Sequence, residues 1–161
     1  MIRAYVALGS NLGDPAGTVD EAIEALAGLS GSILAAFSSL YRTAPVGLKH
    51  QPDFINAVVA LDTRLSPGEL LDALFALEEK FGRRRTVKNA PRTLDLDLLL
   101  HGDTVTGTPD LTLPHPRMHE RAFVLAPLLE IAPGAIIPGR GAAADLLDAC
   151  RNQRIEPLKR P

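Results

Sequence analysis

The chain has no tryptophan, one cysteine and an aromatic content of only 4%. A lone thiol, Cys150, excludes an internal disulfide and suits a reducing compartment. So few rings supply little for stacking along a single-stranded nucleic acid. Excess charge is missing too. The 17 Lys and Arg against 19 Asp and Glu leave a net charge of −2, which gives no general pull toward nucleic acid or an anionic membrane. No apolar run approaches the roughly 20 residues that span a bilayer. Met1-Ile2-Arg3 leads straight into strand-like sequence with no signal-type apolar core, so a cytoplasmic protein is expected. The phosphate-binding patterns G-x-x-x-x-G-K-[ST] and G-x-G-x-x-G do not occur, so any nucleotide must be held without a P-loop or dinucleotide fingerprint.

What is present is enough hydrophobic residues, 46% of 161, for a single domain over 1–161. Ile2 to Gly9 alternates as a strand, with Ile2, Ala4, Val6 and Leu8 on one face, and Gly9-Ser10-Asn11-Leu12-Gly13 reads as a turn. Asp14-Pro15 supplies an N-cap and a first-turn proline for a helix with the stripe Val19, Ala22, Ile23, Leu26, ending near Ser30-Gly31. Ile33 to about Thr43 reads as one strand, 44–53 as a loop and Phe54 to Leu61 as a buried strand. Ser66-Pro67-Gly68-Glu69 has capping-box spacing, opening a helix with the stripe Leu70, Leu74, Leu77, Phe81 and Gly82 just past its end. A basic loop over 83–91 follows, then a strand from Leu94, a hairpin near Gly102-Asp103, an extended Leu111–Pro116, and helices over about 119–129 and 143–151. The order βαββαβ predicts an α+β split-βαβ sandwich, a mainly antiparallel sheet with helices packed against it. Loops 44–53 and 83–91 are long enough to predict a binding or covering role.

The most informative segment is Pro91-Arg92-Thr93-Leu94-Asp95-Leu96-Asp97-Leu98. Strand alternation puts Asp95 and Asp97 on one face and the three leucines on the other. Two carboxylates on a core strand need cations between them, and a pair beside an arginine is what Mg²⁺ and a polyphosphate require. A half-exposed edge strand is the plainer alternative, and the rest of the chain favours the metal. Arg83, Arg84, Arg85 and Arg92 surround the pair, and guanidinium forks match phosphate oxygens. Arg83 and Arg92 are the stronger candidates and Arg84 the one expected in solvent. Glu78 falls within an apolar stripe and so needs a partner, which an arginine of the next loop could supply, unless it reaches sideways to water. Asn56 interrupts an apolar strand; its amide is satisfied by backbone or reads a flat heterocycle, with Phe54 or Phe123 stacking. The i, i+4 pair His115/His119 is no zinc site, because Pro114 and Pro116 break the helix it would need. His115 is a candidate phosphate donor, while His50, His101 and His119 are expected at the surface.

Taken together, these segments resemble the 6-hydroxymethyl-7,8-dihydropterin pyrophosphokinase family. The matching stretches are Ala7–Gly13, Tyr41–Gly47, Gln51–Asn56, Glu78 with Gly82-Arg83, Pro91–Asp97, Leu113–Pro116 and Arg121–Phe123. The resemblance implies the ferredoxin-like α+β sandwich and transfer of pyrophosphate from ATP to the pterin hydroxymethyl group, leaving AMP, in folate biosynthesis. It implies Asp95 and Asp97 as ligands of two Mg²⁺, with Arg83 and Arg92 on the phosphates as the catalytic cations. Thr43, Val46, Phe54, Asn56 and Phe123 would bind pterin, and Glu78, Arg85, Thr112, His115 and Arg121 would surround ATP. Both substrates are small molecules, and a monomer binding neither nucleic acid nor membrane is expected. Asn89 stands where many members carry a tryptophan over the pterin, Ala44 replaces a frequent proline, Phe54 and Pro116 frequent tyrosines, and Asp110 an occasional arginine. A non-catalytic nucleic-acid module would need surface aromatics and a basic face that this composition does not supply. A Mg²⁺-dependent phosphohydrolase is compatible with the aspartates alone, whereas Asn56 and the Thr43 loop favour a heterocyclic acceptor.

Overall fold

The computed structural model describes residues 1–44, 52–82 and 94–158. The strands are β1 (Ile2–Ser10), β2 (Ser32–Phe37), β3 (Tyr41–Thr43), β4 (Phe54–Thr63), β5 (Asp95–His101), β6 (Thr106–Gly107), β7 (Thr112–Leu113), β8 (Ile136–Ile137), β9 (Gly141–Ala142) and β10 (Ile155–Pro157). The helices are α1 (Pro15–Ala27), α2 (Pro67–Gly82), α3 (Ala122–Ile131) and α4 (Ala143–Asp148), with a 3-10 turn at Met118–Glu120. The main sheet runs β10-β3-β4-β1-β5, with β2 pairing β4 beside β3, and its pairings are antiparallel.

Local chemistry explains the first two helices. Asp14 Oδ1 accepts from Gly17 N–H at 3.2 Å, and Pro15 stands at the first helical position, where its missing N–H costs nothing. In α2 the capping box closes both ways: Ser66 Oγ accepts from Glu69 N–H at 3.2 Å, and Glu69 Oε1 from Ser66 N–H at 2.9 Å. The stripe of α1 is buried at Val19, Ala22, Ile23 and Leu26, as its spacing predicts. Both helices cover one face of the sheet, where Leu26, Leu70 and Leu74 meet Ala4, Val6, Leu8, Ala57, Val59, Leu96 and Leu98. Each such leucine contributes roughly 1.5–3 kcal/mol relative to exposure. A second cluster on the opposite face joins Ala7 and Val58 to Leu125 and Leu128 of α3 and Ala143 of α4.

Several expectations are corrected. Strand 33–43 is broken into β2 and β3, because Ser38 Oγ accepts Val58 N–H at 3.0 Å and the register on β4 slips by one across residues 38–40. β1 runs to Gly9 as expected and one residue further, to Ser10, the two lying in the ladder opposite Asn56 and Ile55. The turn at Gly102 (φ +56°) does not send the chain back along β5; the hairpin is β6–β7, closed by Thr108 and Leu111. The helix expected over about 119–129 is divided by Arg121, whose extended backbone separates the 3-10 turn from α3, and α4 ends at Asp148. His101 is only 2% exposed, its Nε2 donating to the Leu65 carbonyl at 2.9 Å, and His119 is half-buried. The loop segments 45–51 and 83–93 lie outside the described residues.

Candidate active site

The site is set by register. Asn56, Gly9 and Asp95 stand side by side across β4, β1 and β5, and Val58, Ala7 and Asp97 form the next row on the same face. The central strand thus contributes only a glycine and an alanine between an amide on one side and two carboxylates on the other. Leu94, Leu96 and Leu98 point the opposite way into the α1/α2 core, as alternation predicts. A cavity of about 650 Å³ opens over this floor. Its lining includes Thr43, Phe54 and Asn56 at one end and Asp95 and Asp97 at the other, with Arg121 and Phe123 from the start of α3 above.

Asn56 is buried, and its Nδ2 donates to Thr43 Oγ1 at 2.7 Å. The partner of that donor is therefore a side chain across the β3–β4 pair and not the backbone. A Cβ on Gly9 would come within 3.0 Å of Asn56 Oδ1, so the glycine keeps room beside the amide oxygen. Asp95 is exposed and Asp97 half-buried, because among the described residues β5 is the edge of the sheet on this side. The expectation of a core strand is corrected: the edge-strand reading describes the backbone, and the same polar face looks into the cavity. No cluster of three or more His, Cys, Asp or Glu occurs among the described residues. Two carboxylates in an open, solvent-reachable cavity suit a hard cation that takes its other oxygens from phosphate and water.

Glu78 is buried in the α2 stripe, where its Oε2 accepts the Leu96 N–H at 2.7 Å, between the two aspartates in sequence. That bond ties α2 to the outer edge of β5 and satisfies a backbone donor on the side where, among the described residues, no further strand pairs with β5. His115 lies beside Asp97. Burial pushes its imidazole below the ordinary value, the Asp97 charge opposes this, and Arg121 and Arg117 add to it. Its Nδ1 accepts from Arg117 N–H at 3.2 Å, which places the proton of the neutral ring on Nε2. The Arg121 guanidinium sits 5.4 Å from the Phe123 ring centroid.

Of the residues singled out from sequence, the cavity collects Thr43, Phe54, Asn56, Asp95, Asp97, Arg121 and Phe123. Glu78, Thr112 and His115 are not among its lining; Thr112 is exposed on β7 and paired with Gly107. Val46, Arg83, Arg85 and Arg92 lie outside the described residues. The lining also brings in Arg117, Glu120, Gln153 and Arg154, which sequence reasoning passed over. Arg117 and Glu120 are two and five residues from His115, a proximity that could have flagged them. Gln153 and Arg154 carry no local pattern, since long-range contacts bring them here: the pairing of β10 with β3 and the Gln153 bonds to Ala122 and Glu120.

The chain matches the family model of 7,8-dihydro-6-hydroxymethylpterin-pyrophosphokinase (HPPK) over residues 5–133. It is 47% identical over 156 residues to the 2-amino-4-hydroxy-6-hydroxymethyldihydropteridine pyrophosphokinase of Pseudomonas aeruginosa, covering 97% of this chain and 96% of that protein. The Haemophilus influenzae protein of the same name is 44% identical over 147 residues, covering 91% and 92%. In fold, the chain is similar to the crystal structure of Plasmodium falciparum HPPK-DHPS wild type with pteroate, with a TM-score of 0.70 at 13% identity. That likeness covers 92% of this chain and 42% of the other, so the chain spans less than half the length of that protein. With near-full-length relatives at this identity and a family match that takes in β1 through α3, the chain belongs to the 7,8-dihydro-6-hydroxymethylpterin-pyrophosphokinase family.

Proposed function

We propose that the cavity over β1 is where pterin and ATP meet, with the pterin at the Thr43–Asn56 end and the triphosphate at the Asp95–Asp97 end. Family membership makes the protein a pyrophosphokinase acting on hydroxymethyldihydropterin in folate biosynthesis, with ATP as co-substrate. The observation that carries the site reading is the row Asn56–Gly9–Asp95, which sets an amide on one strand and a carboxylate on the other, either side of a small-residue floor on β1. In the reaction, the pterin hydroxymethyl oxygen bonds to the β-phosphorus while the bond from that phosphorus to the α,β-bridging oxygen breaks. The electron pair stays on AMP and the hydroxyl proton passes to solvent. Asn56 and Thr43 read the pterin edge, Phe54 and Phe123 supply the apolar faces, and Val46 is assigned to pterin binding by the family resemblance. Two Mg²⁺, held through Asp95 and Asp97, would neutralise phosphate charge and polarise the bond that breaks. Arg83 and Arg92 take the charge growing on the leaving oxygen, and Arg85, Arg121, Thr112 and neutral His115 hold the nucleotide. Glu78 acts at the ATP end by holding the strand that carries both aspartates. Chemistry of this kind is positioning and electrostatic preorganisation, with no covalent enzyme intermediate required.

We read the sheet as ferredoxin-like with its second strand broken in two, a reading supported by the order β2/β3–β4–β1–β5 and by α1 and α2 on one face. The same reading takes residues 1–161 as one domain, monomeric and cytoplasmic. Among the described residues no helix is long and apolar enough to cross a membrane. The test is nucleotide analysis after mixing the protein with ATP, Mg²⁺ and 6-hydroxymethyl-7,8-dihydropterin, with controls lacking pterin. Pterin-dependent AMP, with pyrophosphate on the pterin, is expected. ADP and free phosphate regardless of pterin would overturn the reading in favour of a hydrolase.

A further inference from the structure

Residues 134–158 lie beyond the family match at 5–133, yet their last stretch reaches the cavity. Helix α3 starts at Ala122, and the residue before it, Arg121, is extended and offers no side-chain cap. The missing cap comes from far along the chain. Gln153 Oε1 accepts the Ala122 N–H at 2.9 Å, and Gln153 Nε2 donates to the Glu120 carbonyl at 2.8 Å. One carboxamide therefore grips the backbone on both sides of Arg121, satisfying an N–H that a helix start leaves orphaned. Two residues on, Ile155 pairs with Thr43, the partner of Asn56.

We propose that Gln153 is a positioning residue for the pterin end of the cavity, holding the Arg121–Phe123 wall at a set distance from the Thr43–Asn56 wall. The proposal rests on the assignment of pterin to that end. Gln153 binds one wall through its side chain, and Ile155 binds the other through the β10–β3 ladder, so the intervening Arg154 is the only residue between the two grips. A carboxamide suits this, because the two contacts call for an acceptor and a donor on one planar group. Glutamate keeps the first contact and turns the second into two facing oxygens; alanine loses both. The residue acts through Phe123 and touches no reacting atom.

The test compares wild type with Gln153→Ala and Gln153→Glu by steady-state kinetics in each substrate, with thermal unfolding alongside. Gln153→Ala is expected to raise KM for the pterin roughly five- to ten-fold, the scale of one or two lost hydrogen bonds. KM for ATP rises less than KM for the pterin, through Arg121 alone, and kcat stays within about two-fold, because Asp95 and Asp97 stand on another strand. Gln153→Glu gives a smaller rise in the same parameter. An unchanged pterin KM in both variants would overturn the proposal. So would equal rises in both KM values accompanied by a lowered unfolding midpoint, which would make Gln153 a merely structural brace. A wild-type protein with no pterin-dependent AMP would instead overturn the pterin assignment and this proposal with it.

Discussion

Asn56 is buried on a strand whose neighbours are almost all apolar, and its environment explains why an amide is tolerated there. Thr43 takes one of its protons, and Gly9 leaves the space beside its oxygen. Each of the three residues has a function only through the others, and that leads to a paired prediction. Asn56→Ala removes the amide and leaves Thr43 Oγ1 without its donor. Gly9→Ala brings a methyl group within 3.0 Å of Oδ1 and turns the amide out of place. Both variants are expected to raise KM for the pterin roughly tenfold with a much smaller change for ATP, read from steady-state kinetics. The reverse pattern would move Asn56 out of the pterin site. The amide stands out in the sequence because it interrupts an apolar run, whereas Gly9 marks only the end of a strand and the start of a turn. Its place in the ladder depends on how far β4 extends.

At the scale of elements, two glutamates fasten helices to the sheet. Glu78 joins α2 to β5, and Glu130 joins α3 to the link between β2 and β3. The Glu130 carboxylate accepts from Ser39 N–H at 2.8 Å, Ser39 Oγ at 3.0 Å and Tyr41 OH at 2.6 Å. Burial raises the Tyr41 phenol well above its ordinary value, and the Glu130 hydrogen bond and charge raise it further. A phenol whose folded value is raised contributes stability that is complete below the unfolded value of about 10 and is lost as pH rises above it. Glu130→Ala is therefore expected to cost about 2 kcal/mol near neutral pH, measured by denaturant unfolding. The stability gap between wild type and Tyr41→Phe should shrink above about pH 10. A gap that is constant with pH would remove the phenol from the brace. The two capped helices were legible because their caps and stripes are local in sequence. The break between β2 and β3 was not, because Ser38 leaves the ladder only in answer to Val58 on another strand.

For the whole molecule, the consequence is a site divided between distant stretches of chain. Two aspartates by themselves are a weak metal site, so Mg²⁺ alone should move the unfolding midpoint little. Mg²⁺ with ATP should raise it by several degrees at ATP concentrations near a hundred times Kd, which corresponds to about 2.7 kcal/mol. Asp97→Asn is expected to abolish most of that shift and to lower turnover at least a hundredfold, with circular dichroism unchanged. An undiminished shift in this variant, measured by calorimetry, would remove Asp97 from the nucleotide site. The sequence by itself determined the two capped helices, the strand face carrying Asp95 and Asp97, the α+β class and the family, since these rest on short-range periodicity and on motifs contiguous in the chain. Only the tertiary structure decided that β5 is an edge among the described residues, that Glu78 holds Leu96, and that Gly9 separates Asn56 from Asp95. It also decided that Gln153 closes the start of α3 from 31 residues away. Those facts depend on strand order and register, which follow from burying both faces of one sheet at once and leave no mark in any local stretch of residues.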